Sequence, residues 1–196
     1  MARAFAFTTR DSRAGVVREA RPSDGQACLA IVTEATHERP RTLAVIEREL
    51  WRPREWRRHR LPWGKTGVSL VAEVGGAVVG QLTVTRGNRP TTAHRAEFGI
   101  TVASRARGVG VGIALMSILE TWAREFGVDR LELGVFEDNE RAHAAYHRQG
   151  YVDEGVEHGG VRFPEGDVNV VRMYKSLKPP TTMNRASRAQ TEDRDD

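Results

Sequence analysis

One stretch of this chain reads Val102-Ala-Ser-Arg-Ala-Arg-Gly-Val-Gly-Val-Gly-Ile-Ala-Leu-Met116. A short apolar strand leads into Arg107, three glycines follow at alternate positions, and an amphipathic helix then begins. Glycines leave backbone N–H groups uncovered by side chains, and the first turn of a helix carries the positive end of the helix dipole. The stretch therefore predicts a socket for a phosphate or a pyrophosphate.

Two phosphate-binding designs fit the chain poorly. A P-loop has a glycine five residues before its Gly-Lys-Ser/Thr triplet, whereas His59 stands five residues before Gly64-Lys65-Thr66. A dinucleotide-binding turn has the spacing Gly-x-Gly-x-x-Gly and an acidic residue at the end of a strand about 20 residues later. Here the glycines alternate, and the nearest acidic residue, Glu132, lies inside an apolar strand.

A third design, Arg/Gln-x-x-Gly-x-Gly, matches Arg107, Gly110 and Gly112. An overlapping register that starts at Arg105 and includes Gly108 also fits. The apolar run after Gly112 favours the first register because it sets where the helix begins. A glycine-rich turn without a ligand is the alternative for these residues taken alone.

A second short helix is predicted further along the chain. Either Asp138 or Asn139 suits its N-cap, and Gly150 suits its end. Helical spacing places Asn139 and Tyr146 on one face. A tyrosine on a helix is often a packed ring, but the glycine motif upstream favours a functional interpretation of this face.

The two motifs together resemble the GCN5-related N-acetyltransferase (GNAT) superfamily over roughly residues 16–177. The stretch His94-Arg-Ala-Glu-Phe-Gly-Ile100 looks like the branch that acts on small amines or L-amino acids. In that superfamily the glycine motif holds the pyrophosphate of acetyl-coenzyme A, so the resemblance implies acetyl-CoA as cosubstrate and no metal. The cofactor-binding residues that it implies are Ile100, Val102, Arg107, Gly108, Val109, Gly110, Val111, Gly112 and Asn139.

The resemblance also implies catalytic roles. Tyr146 protonates the departing thiolate, and Glu97 is the favoured general base, with His94 as the alternative. For Glu97 an exposed carboxylate at a strand edge is an equal alternative. A backbone N–H near Val102 is the candidate donor to the oxyanion. The lone Cys28 is interpreted as a packed thiol, so we expect direct transfer in a ternary complex.

The predicted function is N-acetyl transfer from acetyl-CoA to a primary amine of a small molecule, with a free amino acid among the candidate acceptors. The alternatives are a non-catalytic sensor that binds acyl-CoA and a protein N-terminal acetyltransferase. Arginines and tryptophans within residues 52–63 suit a substrate pocket for an amine that carries a carboxylate, or else they simply face solvent.

The predicted fold class is α+β. We expect a mostly antiparallel sheet of six or seven strands with helices on both faces, splayed between its fourth and fifth strands, as the resemblance implies. Residues 1–14 are expected to be a flexible tail, residues 15–177 the acetyltransferase domain and residues 178–196 a disordered tail. One helix is predicted to end near His37 and another to cover residues 42–51.

Composition limits the other function classes. The chain has 196 residues, 39% of them hydrophobic, and one cysteine, which excludes internal disulfides. The net charge is only +4, so we expect no nucleic-acid partner. No signal peptide or long apolar segment is visible, and a soluble cytoplasmic protein without a membrane partner is expected. A homodimer, common in the superfamily, is a further expectation.

Overall fold

The computed structural model describes residues 3–50 and 52–178, and within them eight strands form one sheet. The strands are β1 (Ala4–Thr8), β2 (Ala14–Glu19), β3 (Gly67–Val74), β4 (Ala77–Arg86), β5 (Arg95–Val102), β6 (Arg130–Phe136), β7 (Val152–Phe163) and β8 (Gly166–Ser176). Their order across the sheet is β1-β2-β3-β4-β5-β6-β8-β7. Neighbouring strands are antiparallel except β5 and β6, which are parallel.

Four α-helices accompany the sheet in the described part of the chain: α1 (Gly25–Thr36), α2 (Pro53–His59), α3 (Val111–Glu125) and α4 (Glu140–Arg148). Val71 of β3 packs with Cys28 of α1, whereas the neighbouring Leu70 belongs to the larger core that contains Trp122 of α3. Neighbouring strand residues point to opposite faces, so α1 and α3 cover opposite faces of the sheet. The predicted α+β class with helices on both faces is confirmed. None of the described helices combines the length and apolarity needed to cross a bilayer.

The strands β5 and β6 separate after a short paired segment. Residues 95–97 pair with residues 130–132, and the strands then continue to Val102 and Phe136 without further pairing to each other. The predicted separation between the fourth and fifth strands is confirmed, although β1 makes these strands the fifth and sixth. The opening leaves a gap in the sheet directly before the predicted phosphate socket.

The predicted flexible tail contains a strand. Residues 4–8 form β1, which pairs with β2 and brings the sheet to eight strands rather than six or seven. Phe5 stacks on Trp63 with ring centroids 6.0 Å apart, and Phe7 packs against the core. Gly15 leaves space for the Phe7 ring, because a Cβ at position 15 would lie 2.5 Å from that ring. Assigning all of residues 1–14 to a flexible tail was therefore wrong.

The chain between α1 and α2 is irregular rather than helical. The helix predicted over residues 42–51 is replaced by a 3-10 turn at Glu47–Glu49, and α2 begins only at Pro53. A residue before proline is pushed into extended backbone, and Arg52 has φ −63° and ψ 156°. A helix therefore cannot run through this point, but one can start there. In the predicted C-terminal tail, residues 179–196 lie outside the described residues.

Candidate active site

A cavity of about 1110 Å³ occupies the gap between β5 and β6. Its walls include β5 from Glu97 to Val102, the α4 face with Asn139 and Tyr146, and part of the segment 107–112, which we call the glycine loop. Small-molecule sites commonly enclose about 300–1,000 Å³, so this cavity suits a long ligand.

The glycine loop presents unpaired backbone donors. The six N–H groups from Gly108 to Ile113 donate no hydrogen bond of standard geometry to a described residue, and the first helical bond of α3 joins the Ala114 N–H to the Gly110 carbonyl at 3.0 Å. Gly108 and Gly110 have φ of 78° and 100°, a region that favours glycine. Free N–H groups at a helix N-terminus form an anion-binding geometry. The structure thus places the predicted socket at the end of the cavity, and phosphate binding there stays a prediction.

Gly112 needs a different explanation from the other two glycines. It lies in the first turn of α3 with ordinary helical backbone. A Cβ built there would meet only Ile100 Cδ1 at 3.8 Å and Val102 Cγ2 at 4.0 Å, which are ordinary contacts. Neither backbone strain nor packing requires glycine at this position. A ligand that approaches the backbone closely would require it.

Arg107 braces the glycine loop. Its guanidinium donates to the Glu38 carboxylate at 2.6 Å and to the Val102 carbonyl at 2.8 Å. Its backbone N–H donates to the Ser104 carbonyl at 3.2 Å. The Arg107 side chain therefore stabilises the conformation of the glycine loop. Its predicted role in binding the cofactor stays a prediction.

The other predicted cofactor residues reach the cavity in different ways. Val111 is buried in the core and Val109 packs against it, so only their backbone can contribute. The Ala103 N–H donates to Val79 of β4 at 2.9 Å, and polar backbone groups alternate sides along a strand. The N–H groups of Ile100 and Val102 therefore point away from β4 and into the gap.

Arg10 is a cavity residue that the sequence analysis missed, because it lies in the predicted tail. The turn between β1 and β2 holds the glycine loop: the Arg10 N–H donates to the Val109 carbonyl at 2.9 Å, and its guanidinium lies 3.5 Å from the Gly108 carbonyl. A cation beside unpaired N–H groups strengthens an anion site. No local sequence pattern predicts this contact, because it joins residues 98 positions apart.

We expect Arg10→Ala to weaken coenzyme A binding roughly two- to fivefold, the range of exposed ion pairs, and to leave the backbone bond to Val109 intact. The loss should shrink at high salt, because exposed charges are screened. Calorimetry at two salt concentrations measures both effects. Arg13→Ala is the matched control, because Arg13 is exposed and pairs with Asp11 away from the cavity. Equal losses in both variants would contradict the assignment.

Tyr146 and Asn139 lie on the cavity side of α4, as predicted. Asn139 is the N-cap, and its Oδ1 accepts from the Ala142 N–H at 3.2 Å. The Tyr146 ring packs edge-on against Phe98 at 6.4 Å and Tyr151 at 5.8 Å. Its hydroxyl has no hydrogen-bond partner among the described residues. Burial raises the pKa of Tyr146 to about 12, so the phenol keeps its proton at neutral pH.

Glu97 also lines the cavity, and its Oε1 accepts from Arg172 of β8 at 2.7 Å. Side chains alternate along β5, so Glu97 lies on the sheet face opposite Phe98, against which Tyr146 packs. His94 is exposed in the turn before β5 and does not line the cavity. Of the two candidate bases, the structure brings Glu97 to the site.

Two other reactive groups are structural. Glu132 is buried and accepts from Arg95 at 2.9 and 2.6 Å and from Arg130. Burial alone would raise the pKa of Glu132, but these hydrogen bonds outweigh burial and hold it below its usual value. Cys28 is buried, and burial raises the pKa of its thiol to about 12, which agrees with a packed thiol rather than a nucleophile.

The arginine- and tryptophan-rich segment 52–63 does not form the pocket. None of its described side chains lines the cavity; Trp56 packs beneath α1, and Trp63 stacks on Phe5. The solvent-facing alternative fits its exposed arginines better than the pocket interpretation. The arginines that do line the cavity are Arg10, Arg107, Arg141, Arg148 and Arg172.

Comparison with known proteins agrees with this geometry. The profile of the Acetyltransferase (GNAT) family matches residues 33–151, which include β5, the glycine loop and α4. The chain belongs to the GNAT family. The matched range contains the glycine loop and the α4 face with Tyr146, and the roles of their residues stay predictions.

Individual GNAT relatives differ in their acceptors. The L-amino acid N-acetyltransferase AaaT of Escherichia coli (strain K12) is 44% identical over 91 residues, which are 44% of this chain and 54% of that protein. The chain thus spans about half the length of this curated relative. The ribosomal-protein-alanine N-acetyltransferase of Brucella melitensis is 30% identical with a TM-score of 0.72, covering 82% of this chain and 99% of that one. Salmonella typhimurium yncA, solved with its cofactor acetyl-CoA, is 20% identical with a TM-score of 0.72, covering 86% and 98%.

Proposed function

We propose that this GNAT protein transfers an acetyl group from acetyl-CoA to the primary amine of a small molecule, with a free amino acid as the favoured acceptor. One observation carries the proposal: a single cavity holds both the N–H groups of the glycine loop and the hydroxyl of Tyr146, which are unpaired within the described part of the chain. The first suits the diphosphate of a coenzyme A ester, and the second suits a proton donor to its sulfur.

The residues divide the chemistry between them. Acetyl-CoA supplies the acetyl group as a thioester; the amine nitrogen forms the new C–N bond and the C–S bond breaks. Glu97 accepts the proton that the amine loses. The Val102 N–H donates to the carbonyl oxygen as negative charge develops there, and Tyr146 donates to the departing sulfur.

The two faces of the sheet separate these roles. Glu97 lies on the α1 face together with Thr85, its cross-strand partner on β4, whereas Tyr146 lies on the α3 face with Phe98. An amine that enters from the α1 face would therefore meet the base, while the sulfur leaves towards the phenol. This arrangement supports direct transfer in a ternary complex.

The acceptor follows from similarity rather than geometry. The relation to AaaT supports a free L-amino acid. The relation to the Brucella protein supports a second candidate, the N-terminal amine of a polypeptide. We propose a cytoplasmic location as well; the homodimer, the absence of nucleic-acid and membrane partners, and a transfer step without a metal stay predictions from the sequence.

Free-thiol release from acetyl-CoA tests the proposal. The full chain is assayed with each L-amino acid, with polyamines and with short peptides that begin with alanine, against a blank without amine. We expect release with one or more free amino acids above the blank. Release only with peptides would favour the N-terminal acetyltransferase, and calorimetric binding of acetyl-CoA without release for any amine would favour the non-catalytic sensor.

A further inference from the structure

Three side chains of types that can bind metal ions converge on the outer end of α4. His143 and His147 stand one helical turn apart, and Asp153 lies near the start of β7. The Nε2 atoms of the two histidines lie 2.9 and 3.2 Å from the same Asp153 Oδ1. Within residues 3–50 and 52–178 this is the one group of three such residues whose ligand atoms all lie within 4.8 Å of one another.

The two histidine–aspartate distances are compatible with a tetrahedral metal site. Zinc binds histidine nitrogen and carboxylate oxygen at about 2.0–2.2 Å, which places neighbouring ligands roughly 3.3 Å apart. The two Nε2–Oδ1 distances are already close to that value. Imidazoles at positions i and i+4 share a helix face, so both can turn towards one ion without any backbone change.

The surroundings leave room for an ion. The side chains of His143, His147 and Asp153 are 31%, 44% and 46% exposed, so water can supply the remaining ligands. Two nitrogens and one oxygen favour zinc-class transition ions over magnesium, which prefers oxygen ligands in an octahedral arrangement.

We propose that His143, His147 and Asp153 form a surface site for a divalent transition-metal ion of the zinc class. The ion would join the last turn of α4 to β7. Ala142 and Tyr146 tie α4 to the core, but none of the α4 residues is fully buried, and the ion would add a tie on the outer side of the helix. The metal would therefore stabilise the position of α4. The expectation of no metal did not take the His-x-x-x-His spacing into account, and no local pattern places Asp153 beside these histidines.

Calorimetry on the untagged full chain tests the site. We expect one Zn²⁺ per chain, similar binding of Co²⁺ with a visible absorption band, and no comparable binding of Mg²⁺. His143→Gln and Asp153→Asn should each lose at least about tenfold in affinity, since even the loss of an outer-shell partner costs about 10–100-fold. His158→Ala, a histidine on β7 outside the cluster, is the matched control and should bind as the wild type does.

Thermal unfolding gives a second readout that does not depend on acetyl transfer. Zn²⁺ should raise the unfolding midpoint of the wild type and of His158→Ala but not that of Asp153→Asn, because ligands that bind only the folded state stabilise it. Circular dichroism without metal shows whether each variant is folded. If the wild type binds no Zn²⁺, or the folded cluster variants bind it as tightly as the wild type, the three residues form only a hydrogen-bonded surface group and the proposal is wrong.

Discussion

Replacing Tyr146 by Phe should lower kcat roughly ten- to a hundredfold and leave the affinity for acetyl-CoA almost unchanged. A hydrogen bond to a charged group contributes about 1.5–3 kcal/mol, and each 1.36 kcal/mol of barrier is tenfold in rate. The hydroxyl has no hydrogen-bond partner among the described residues, so we expect its loss to remove only the contact with the departing sulfur. Steady-state kinetics with the best amine from the thiol-release panel measures kcat and KM separately.

The dependence of the rate on pH tests whether Tyr146 acts as a neutral proton donor. Burial raises the pKa of Tyr146 to about 12, so the neutral donor form persists as the pH rises to 10. If the rate of the wild type falls between pH 8 and 10 and the rate of Tyr146→Phe falls by the same factor, the titration of another group causes the fall. A fall in that range that disappears in Tyr146→Phe would contradict the raised pKa and its role as the neutral donor.

Tyr151→Phe is the matched control. Tyr151 touches Tyr146, with ring centroids 5.8 Å apart, but its hydroxyl is buried without a partner and does not line the cavity. Removing an unpaired buried hydroxyl is expected to be neutral or stabilising for the fold, and kcat should stay at the wild-type value. If both variants lose activity equally, packing at this ring cluster rather than proton donation explains the loss.

Local patterns predicted the parts of the site that local physics determines. The alternating glycines and the apolar run after Gly112 determine where α3 begins, and Asn139 caps α4 through a bond to Ala142 only three residues away. Such signals lie within one turn of the chain. They were therefore visible in the sequence, whereas the opening of the sheet between β5 and β6 was expected only from the family resemblance.

Long-range contacts account for what the sequence did not reveal. The strand β1 is only five residues long, and its burial depends on Trp63, far along the chain. Arg10 reaches the glycine loop only because β1 exists. The segment 52–63 resembled a pocket because of its composition, yet Trp56 gains more by packing beneath α1 than by facing solvent. Composition does not tell which surface a side chain covers.

Gly112→Ala should change fold stability and ligand affinity in opposite directions. Alanine is the better helix former by up to about 1 kcal/mol, and the added methyl would make only ordinary contacts with Ile100 and Val102. The free energy of unfolding should therefore rise by roughly 0.5 kcal/mol, as other compatible Gly→Ala changes do. The same methyl group stands where a diphosphate would approach the backbone, so coenzyme A affinity should fall at least about tenfold, or 1.4 kcal/mol.

Urea unfolding and calorimetry with coenzyme A measure the two changes on the same variant. Ser117→Ala is the control: Ser117 is exposed on the same helix and outside the cavity, so the variant should gain helix stability without losing affinity. A loss of both stability and affinity in Gly112→Ala would mean that glycine is needed there for packing. Full retention of affinity would mean that no ligand approaches this turn closely, and the glycine loop would then be a bare turn rather than an anion site.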